Sequence, residues 1–99
     1  DTFVRHELPV LAVVGNDACW SQIAREQVEI LGDSVGTDLV PTRYDKVAGG
    51  LGARGLLVER DEEVATTLSE ALTATRKGRP VLVNARIAKT DFRKGSLSM

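Results

Sequence analysis

Reactive side chains are scarce in this chain: its 99 residues include one cysteine, one histidine, three prolines, one Trp, one Tyr and two Phe. A lone Cys19 closes no internal disulfide, which excludes a disulfide scaffold and leads us to expect a reducing compartment. No C-x-x-C, H-E-x-x-H or G-x-S-x-G is present, so structural zinc, zincin and serine-hydrolase readings lack support. Charge of one sign is missing too. Thirteen basic residues against 14 acidic ones leave a net charge of −1, and no nucleic-acid or acidic-membrane partner is expected. Arg76-Lys77-Gly78-Arg79 reads as a solvated turn. No apolar run approaches the roughly 18 residues of a membrane span, and no signal-peptide pattern opens the chain, so the segment is expected to be soluble. Asp1 in place of an initiator Met points to a piece of something longer.

With 42% hydrophobic residues, the chain is sized for one domain with one modest core. Leu8 to Val14 is a near-continuous apolar run, as in a parallel strand covered on both faces. Trp20, Ile23, Ala24, Val28 and Leu31 then fall on one face of a helix. Residues 32 to 42 read as a loop with a short extended piece at Asp38-Leu39-Val40. Thr42-Arg43-Tyr44-Asp45 matches a capping box, predicting a helix that buries Tyr44, Val47, Ala48 and Leu51. Leu56 to Val58 is a strand, Asp61 to Thr75 the longest helix with Val64, Leu68, Ala71, Leu72 and Thr75 inward, and Pro80 to Ile87 a further strand. Gly78 and Pro80 stop that last helix. The order β-α-α-β-α-β predicts an α/β fold with a mostly parallel sheet flanked by helices, followed by an aperiodic tail at 91–99.

Gly50-Leu51-Gly52-Ala53-Arg54-Gly55 spells G-x-G-x-x-G, the dinucleotide phosphate loop. That loop works only after a strand and before a helix, because the phosphate must meet a helix N-terminus. Here a helix precedes and a strand follows, so the glycines read as a helix stop with close backbone packing. Cys19 and His6 are formally a nucleophile and a base, but a Cys beside a Trp at a helix start reads as packing, and His6 as part of a surface turn. Asp61-Glu62-Glu63 suits the positive end of a helix dipole without a catalytic role.

The chemistry concentrates at Gly15-Asn16-Asp17, where the first strand stops. Ligands of open α/β sheets gather beyond the carboxyl ends of strands. An Asn side-chain oxygen there is a hard neutral ligand for Mg²⁺ or Ca²⁺. Capping of the following helix by Asn16 or Asp17 is the competing reading.

Three stretches together resemble thiamine-diphosphate enzymes of the acetolactate synthase group: "LPVLAVVGNDACW", "YDKVAGGLGARGLLV" and "EEVATTLSEALTATRKGRPVLVNARI". They are similar to the C-terminal part of that family's pyrophosphate-binding domain, a doubly wound, flavodoxin-like α/β unit whose upstream half lies outside this chain. "GNDACWSQIAREQV" and "TDFRKGS" are closest to the animal acetolactate-synthase-like branch, also described as 2-hydroxyacyl-CoA lyases. The resemblance implies that Asn16 supplies a side-chain oxygen, and Ala18 a backbone carbonyl, to the Mg²⁺ that holds the diphosphate of thiamine diphosphate. Gly15 departs from the family's usual first Asn, and the Gly-Asp-Gly half of the motif is not in this chain. Trp20 falls where acyl-CoA-handling relatives place an aromatic against the substrate; a core aromatic is the alternative.

No catalytic acid or base is implied in this segment, because the family's activating Glu lies on another domain. The implied parent is a homodimeric or homotetrameric enzyme acting on a 2-hydroxyacyl-CoA or a 2-oxo acid: a carbon–carbon lyase releasing an aldehyde and formyl-CoA, or an acetolactate-synthase-type carboligase. A non-catalytic α/β interaction domain is the third reading. The isolated segment, with half a metal site, is expected to be inactive, and any membrane anchor of the parent would lie upstream.

Overall fold

The computed structural model describes residues 1–89, so the expected tail at 91–99 lies outside the described residues. Three parallel strands form the sheet: β1 (Leu11–Asn16), β2 (Arg54–Val58) and β3 (Val81–Arg86), in the order β1-β3-β2. Helices α1 (Thr2–Arg5), α2 (Ser21–Leu31), α3 (Tyr44–Gly50) and α4 (Val64–Arg76) complete it, with a 3₁₀ turn at Asp61–Glu63 leading into α4. The chain is thus an α/β unit, as its periodicity indicates. The short α1 is an addition that the sequence pattern did not predict.

Strand β1 begins three residues later than the apolar run suggests and ends two later. Pro9 has no N–H, and the Val10 N–H turns back onto the Leu8 carbonyl, so pairing starts only where the Val81 N–H reaches Val10 O. At the other end, the Ile87 N–H bonds to the Asn16 carbonyl at 3.1 Å. Asn16 is therefore the last residue of the strand and lies within the ladder, not in a turn after it.

Among the described residues only β3 has a strand on each side. Val58, Ala71, Val81 and Val83 form the core, with Leu11, Leu56, Ala74 and Ala85 packed against it. The edge strand β1 is not buried on both faces as expected, since Val13 is 57% exposed. Helix α2 has the predicted amphipathic spacing yet buries no residue, and Ile23, Val28 and Leu31 stay exposed.

Two inner faces also differ from expectation. On α4 the residue against the sheet is Ala71, while Val64, Leu68 and Leu72 are exposed, because a methyl side chain permits the closer approach. On α3 the buried residues are Asp45 and Ala48, while Val47 and Leu51 are exposed. The capping box does not form. Thr42 Oγ1 donates to the Val40 carbonyl, Arg43 takes the N-cap position without a side-chain capping bond, and the Asp45 carboxylate is held by Arg43 and Asn84.

The glycine run behaves as a stop with close packing. Gly50 ends α3, Gly52 turns the chain at φ 95°, and Gly55 is the second residue of β2. A Cβ on Gly55 would lie 1.8 Å from the Asp45 carbonyl oxygen, so the strand meets the start of α3 with no space for a side chain.

Candidate functional site

With all three strands parallel, their carboxyl ends share one edge, and β1 delivers Asn16 there beside Arg86. Three polar groups bond to the Asn16 side chain. Its Nδ2 donates to the Thr42 carbonyl at 3.0 Å and to Asn84 Oδ1 at 3.2 Å. Asn84 Nδ2 donates to the same carbonyl at 3.3 Å and to Asp45 Oδ1 at 3.2 Å. The directions are forced. A carbonyl and an ionised carboxylate only accept, so both amide nitrogens must face them, and each NH₂ spends both hydrogens. Asn16 Oδ1 is thereby turned to the opposite side, where it accepts the Ala18 N–H at 3.1 Å and keeps one lone pair.

Asp45 anchors the far end of this network. Arg43 grips it in a fork, Nε to Oδ1 at 3.0 Å and Nη2 to Oδ2 at 2.6 Å. The Arg43 hydrogen bonds, helped by Asn84 and opposed by burial, lower its pKa from the usual carboxylate value to about 2. A carboxyl depressed in the folded state contributes stability that is complete above its unfolded pKa and is lost as pH falls through the folded one. Stability is therefore expected to decline between pH ~4 and ~2, by on the order of 2 kcal/mol from this group. Urea midpoints of the whole protein and of Asp45→Asn, compared at pH 5 and 2.5, check this; the variant should have the flatter profile.

The loop after Asn16 is held in a strained shape. Ala18 sits in the left-handed region at φ 54°, a conformation costing an alanine roughly 1–2 kcal/mol. Asp17 steadies it by accepting the Cys19 N–H at 3.2 Å and the Ser21 hydroxyl. Across the loop, the Leu39 N–H donates to the Ala18 carbonyl and the Trp20 N–H to the Thr37 carbonyl, both at 2.8 Å. The short extended piece predicted at 38–40 reduces to a single bridge between Cys19 and Asp38. Helix α2 starts with Trp20 as N-cap and no side-chain cap bond. Neither Asn16 nor Asp17 caps it directly, and that competing explanation of the two residues fails.

Two hard oxygens, Asn16 Oδ1 and the Ala18 carbonyl, each retain a lone pair after their bonds to N–H groups. They suit Mg²⁺ chemically but are two of the six oxygens it takes. Among the described residues no group of three His, Cys, Asp or Glu is arranged for a metal. Trp20 is 59% exposed at the rim of this loop, so it is not part of the core formed by the described residues. Cys19 is a half-buried free thiol and His6 an exposed C-cap of α1.

Residues 1–85 match the family described as "Thiamine pyrophosphate enzyme, C-terminal TPP binding domain". The chain belongs to this family. It is 54% identical, over its full length, to 2-hydroxyacyl-CoA lyase 2 of Homo sapiens and 52% identical to that of Caenorhabditis elegans. Over 85 residues it is 38% identical to the acetolactate synthase large subunit of Mycobacterium tuberculosis. The chain spans 16% of the length of the two lyases and 15% of the synthase.

In this thiamine-pyrophosphate-binding domain the three residues singled out in the sequence, Asn16, Ala18 and Trp20, lie within one turn of chain at one sheet edge. The partners that orient Asn16 were not anticipated. Asn84 stands in the apolar run "PVLVNARI", and a fully polar amide inside a central strand is the signal that should have drawn notice, since buried amides are there to be bonded.

Proposed function

We propose that this domain supplies the diphosphate-and-metal end of the cofactor site in a thiamine-diphosphate- and Mg²⁺-dependent 2-hydroxyacyl-CoA lyase. The observation that carries the reading is the locked carboxamide of Asn16 at the carboxyl edge of the sheet; the full-length identity of 54% with a lyase rather than 38% over part of the chain with a synthase supports the substrate class. When bound, thiamine diphosphate supplies an electron sink for breaking a carbon–carbon bond.

In this reading Asn16 Oδ1 and the Ala18 carbonyl are ligands of the Mg²⁺, and the bonds from Leu39 and Trp20 hold the loop that presents them. Trp20 forms part of the wall against the acyl chain. The overall reaction breaks the bond between the thioester carbonyl and the hydroxyl-bearing carbon, which leaves as the aldehyde, while the carbonyl gains a proton and leaves as formyl-CoA. The acid, the base and the remaining metal oxygens come from elsewhere in the whole enzyme, which on this reading is a dimer or tetramer.

The test is an assay of the whole enzyme with thiamine diphosphate and Mg²⁺. Formyl-CoA and a chain-shortened aldehyde should appear from a 2-hydroxyacyl-CoA, and acetolactate from pyruvate should not; the reverse outcome assigns the carboligase instead. Trp20→Ala should lower kcat/KM for the acyl-CoA roughly tenfold, about 1.4 kcal/mol of transition-state binding. Its melting temperature should hardly change, because so little of the ring is buried within the domain.

A further inference from the structure

We propose that Asn84 is a positioning residue for the metal: its side-chain oxygen fixes the amide of Asn16, so that Asn16 Oδ1, and not Nδ2, faces the Mg²⁺. The proposal rests on reading Asn16 as a metal ligand.

A carboxamide has two faces of similar shape and opposite function. Rotating Asn16 by half a turn about its last bond would present two N–H donors to the cation and abolish the site. Thr42 O, which accepts one Nδ2 hydrogen, and the Ala18 N–H, which donates to Oδ1, each oppose that rotation with one bond; Asn84 Oδ1 supplies the second acceptor, at 3.2 Å, and so both hydrogens of Nδ2 have fixed destinations. Asn84 is itself unable to turn. It is 0% exposed, sits in the central strand, and its own Nδ2 is committed to Thr42 O and to Asp45 Oδ1, a carboxylate that accepts only. The orientation therefore passes inward along a chain of single-valued choices, from the carboxylate of Asp45, held by Arg43, through Asn84 to Asn16.

A valine or leucine would fill this place in the strand without burying an amide, and the neighbouring positions Val81 and Val83 are of that type. The polar residue thus serves its bonds, and its bonds lead to the candidate ligand. Outer-shell partners of metal ligands act in this way, and losing one typically costs 10–100-fold in metal affinity.

The experiment titrates Mg²⁺ into the whole apoenzyme saturated with thiamine diphosphate and reads the dissociation constant by calorimetry, with melting of the metal-free protein measured alongside. Asn84→Ala should weaken Mg²⁺ binding by about 10–100-fold at a temperature where the variant is folded. The exchange Asn84→Asp with Asp45→Asn keeps an acceptor for Asn16 Nδ2 and allows a bond to position 45 with donor and acceptor reversed, but it loses the donor to the Thr42 carbonyl and sets an amide N–H near Arg43 Nε; it should recover part of the Mg²⁺ affinity that Asn84→Ala loses. A role confined to stability would lower melting in Asn84→Ala and leave the metal constant alone.

A folded Asn84→Ala protein with parental Mg²⁺ affinity overturns the proposal, as does a folded exchange variant that stays as weak as Asn84→Ala. If Asn84→Ala does not fold, Asn84→Val, an apolar residue of the kind β3 already carries at Val81 and Val83, takes its place in the comparison. Asn16→Ala separates the two levels. Should it also bind Mg²⁺ like the parent, the ligand reading itself has failed; should it lose Mg²⁺ while the Asn84 variants do not, only the positioning role has.

Discussion

Replacing Asn16 with alanine in the whole enzyme should weaken Mg²⁺-dependent binding of thiamine diphosphate by more than about a hundredfold, beyond the range typical of residues one shell removed from a metal. The structure adds a cost that the strand pattern alone does not show. Asn16 Nδ2 also ties β1 to Thr42 and Asn84, so the same change leaves a buried amide oxygen on Asn84 without its donor. A stability loss of about 1–3 kcal/mol is expected with the loss of binding. Asn16→Asp is more informative still. It keeps an oxygen for the metal, yet removes both donors and sets a carboxylate against the Thr42 carbonyl and Asn84 Oδ1. Partial Mg²⁺ binding with a lower melting temperature is the expected result, measured by calorimetry and thermal unfolding on the same preparations. Full cofactor affinity in Asn16→Ala would remove the metal role.

Gly55→Ala should be the most damaging glycine-to-alanine change among the described residues. The added carbon would lie 1.8 Å from the oxygen and 2.6 Å from the carbon of the Asp45 carbonyl, and both are backbone atoms that no rotamer change can move. β2 and α3 would have to separate, at a cost on the order of 3–5 kcal/mol. Because Asp45 is the fixed end of the amide network, its displacement should also loosen Asn16. Gly49→Ala is the control: nothing lies within 4 Å of the new methyl, and the site is inside a helix. It should be neutral or stabilising by roughly 0.5–1 kcal/mol. Thermal melts of the two variants beside the parent decide the matter, and a Gly55→Ala protein that melts with the parent would contradict the close approach.

The elements that follow local rules were legible in the sequence. The apolar runs gave parallel strands, and the helix before the G-x-G-x-x-G letters and the strand after it argued correctly against a phosphate loop. Asn16, Ala18 and Trp20 were legible because they are neighbours in the chain. Asn84 and Asp45 were not, since their meaning comes from partners 68 and 39 residues away that only the folded sheet brings together. The inner faces of α3 and α4 were legible only in part. Of the residues expected inside, Ala48 and Ala71 are buried, whereas Val47, Leu51, Leu68 and Leu72 are exposed, and the buried, salt-bridged Asp45 was not expected.

The strand order has a consequence for the growing chain. Among the described residues β1 and β2 share no hydrogen bonds; each pairs with β3, which is synthesised after both and enters between them. As a ribosome extends the polypeptide, residues 11–16 and 54–58 lack this shared partner until Val81 to Arg86 emerges, and closing such long loops is slow. Throughout that interval the carboxamide of Asn16 lacks its acceptor in Asn84 and can be held only by the Thr42 carbonyl and the Ala18 N–H. Both hydrogens of Nδ2 gain their fixed destinations only when the middle strand slots home. If Asn16 is a metal ligand, a nascent chain therefore presents its oxygen to Mg²⁺ less firmly until the middle strand is in place.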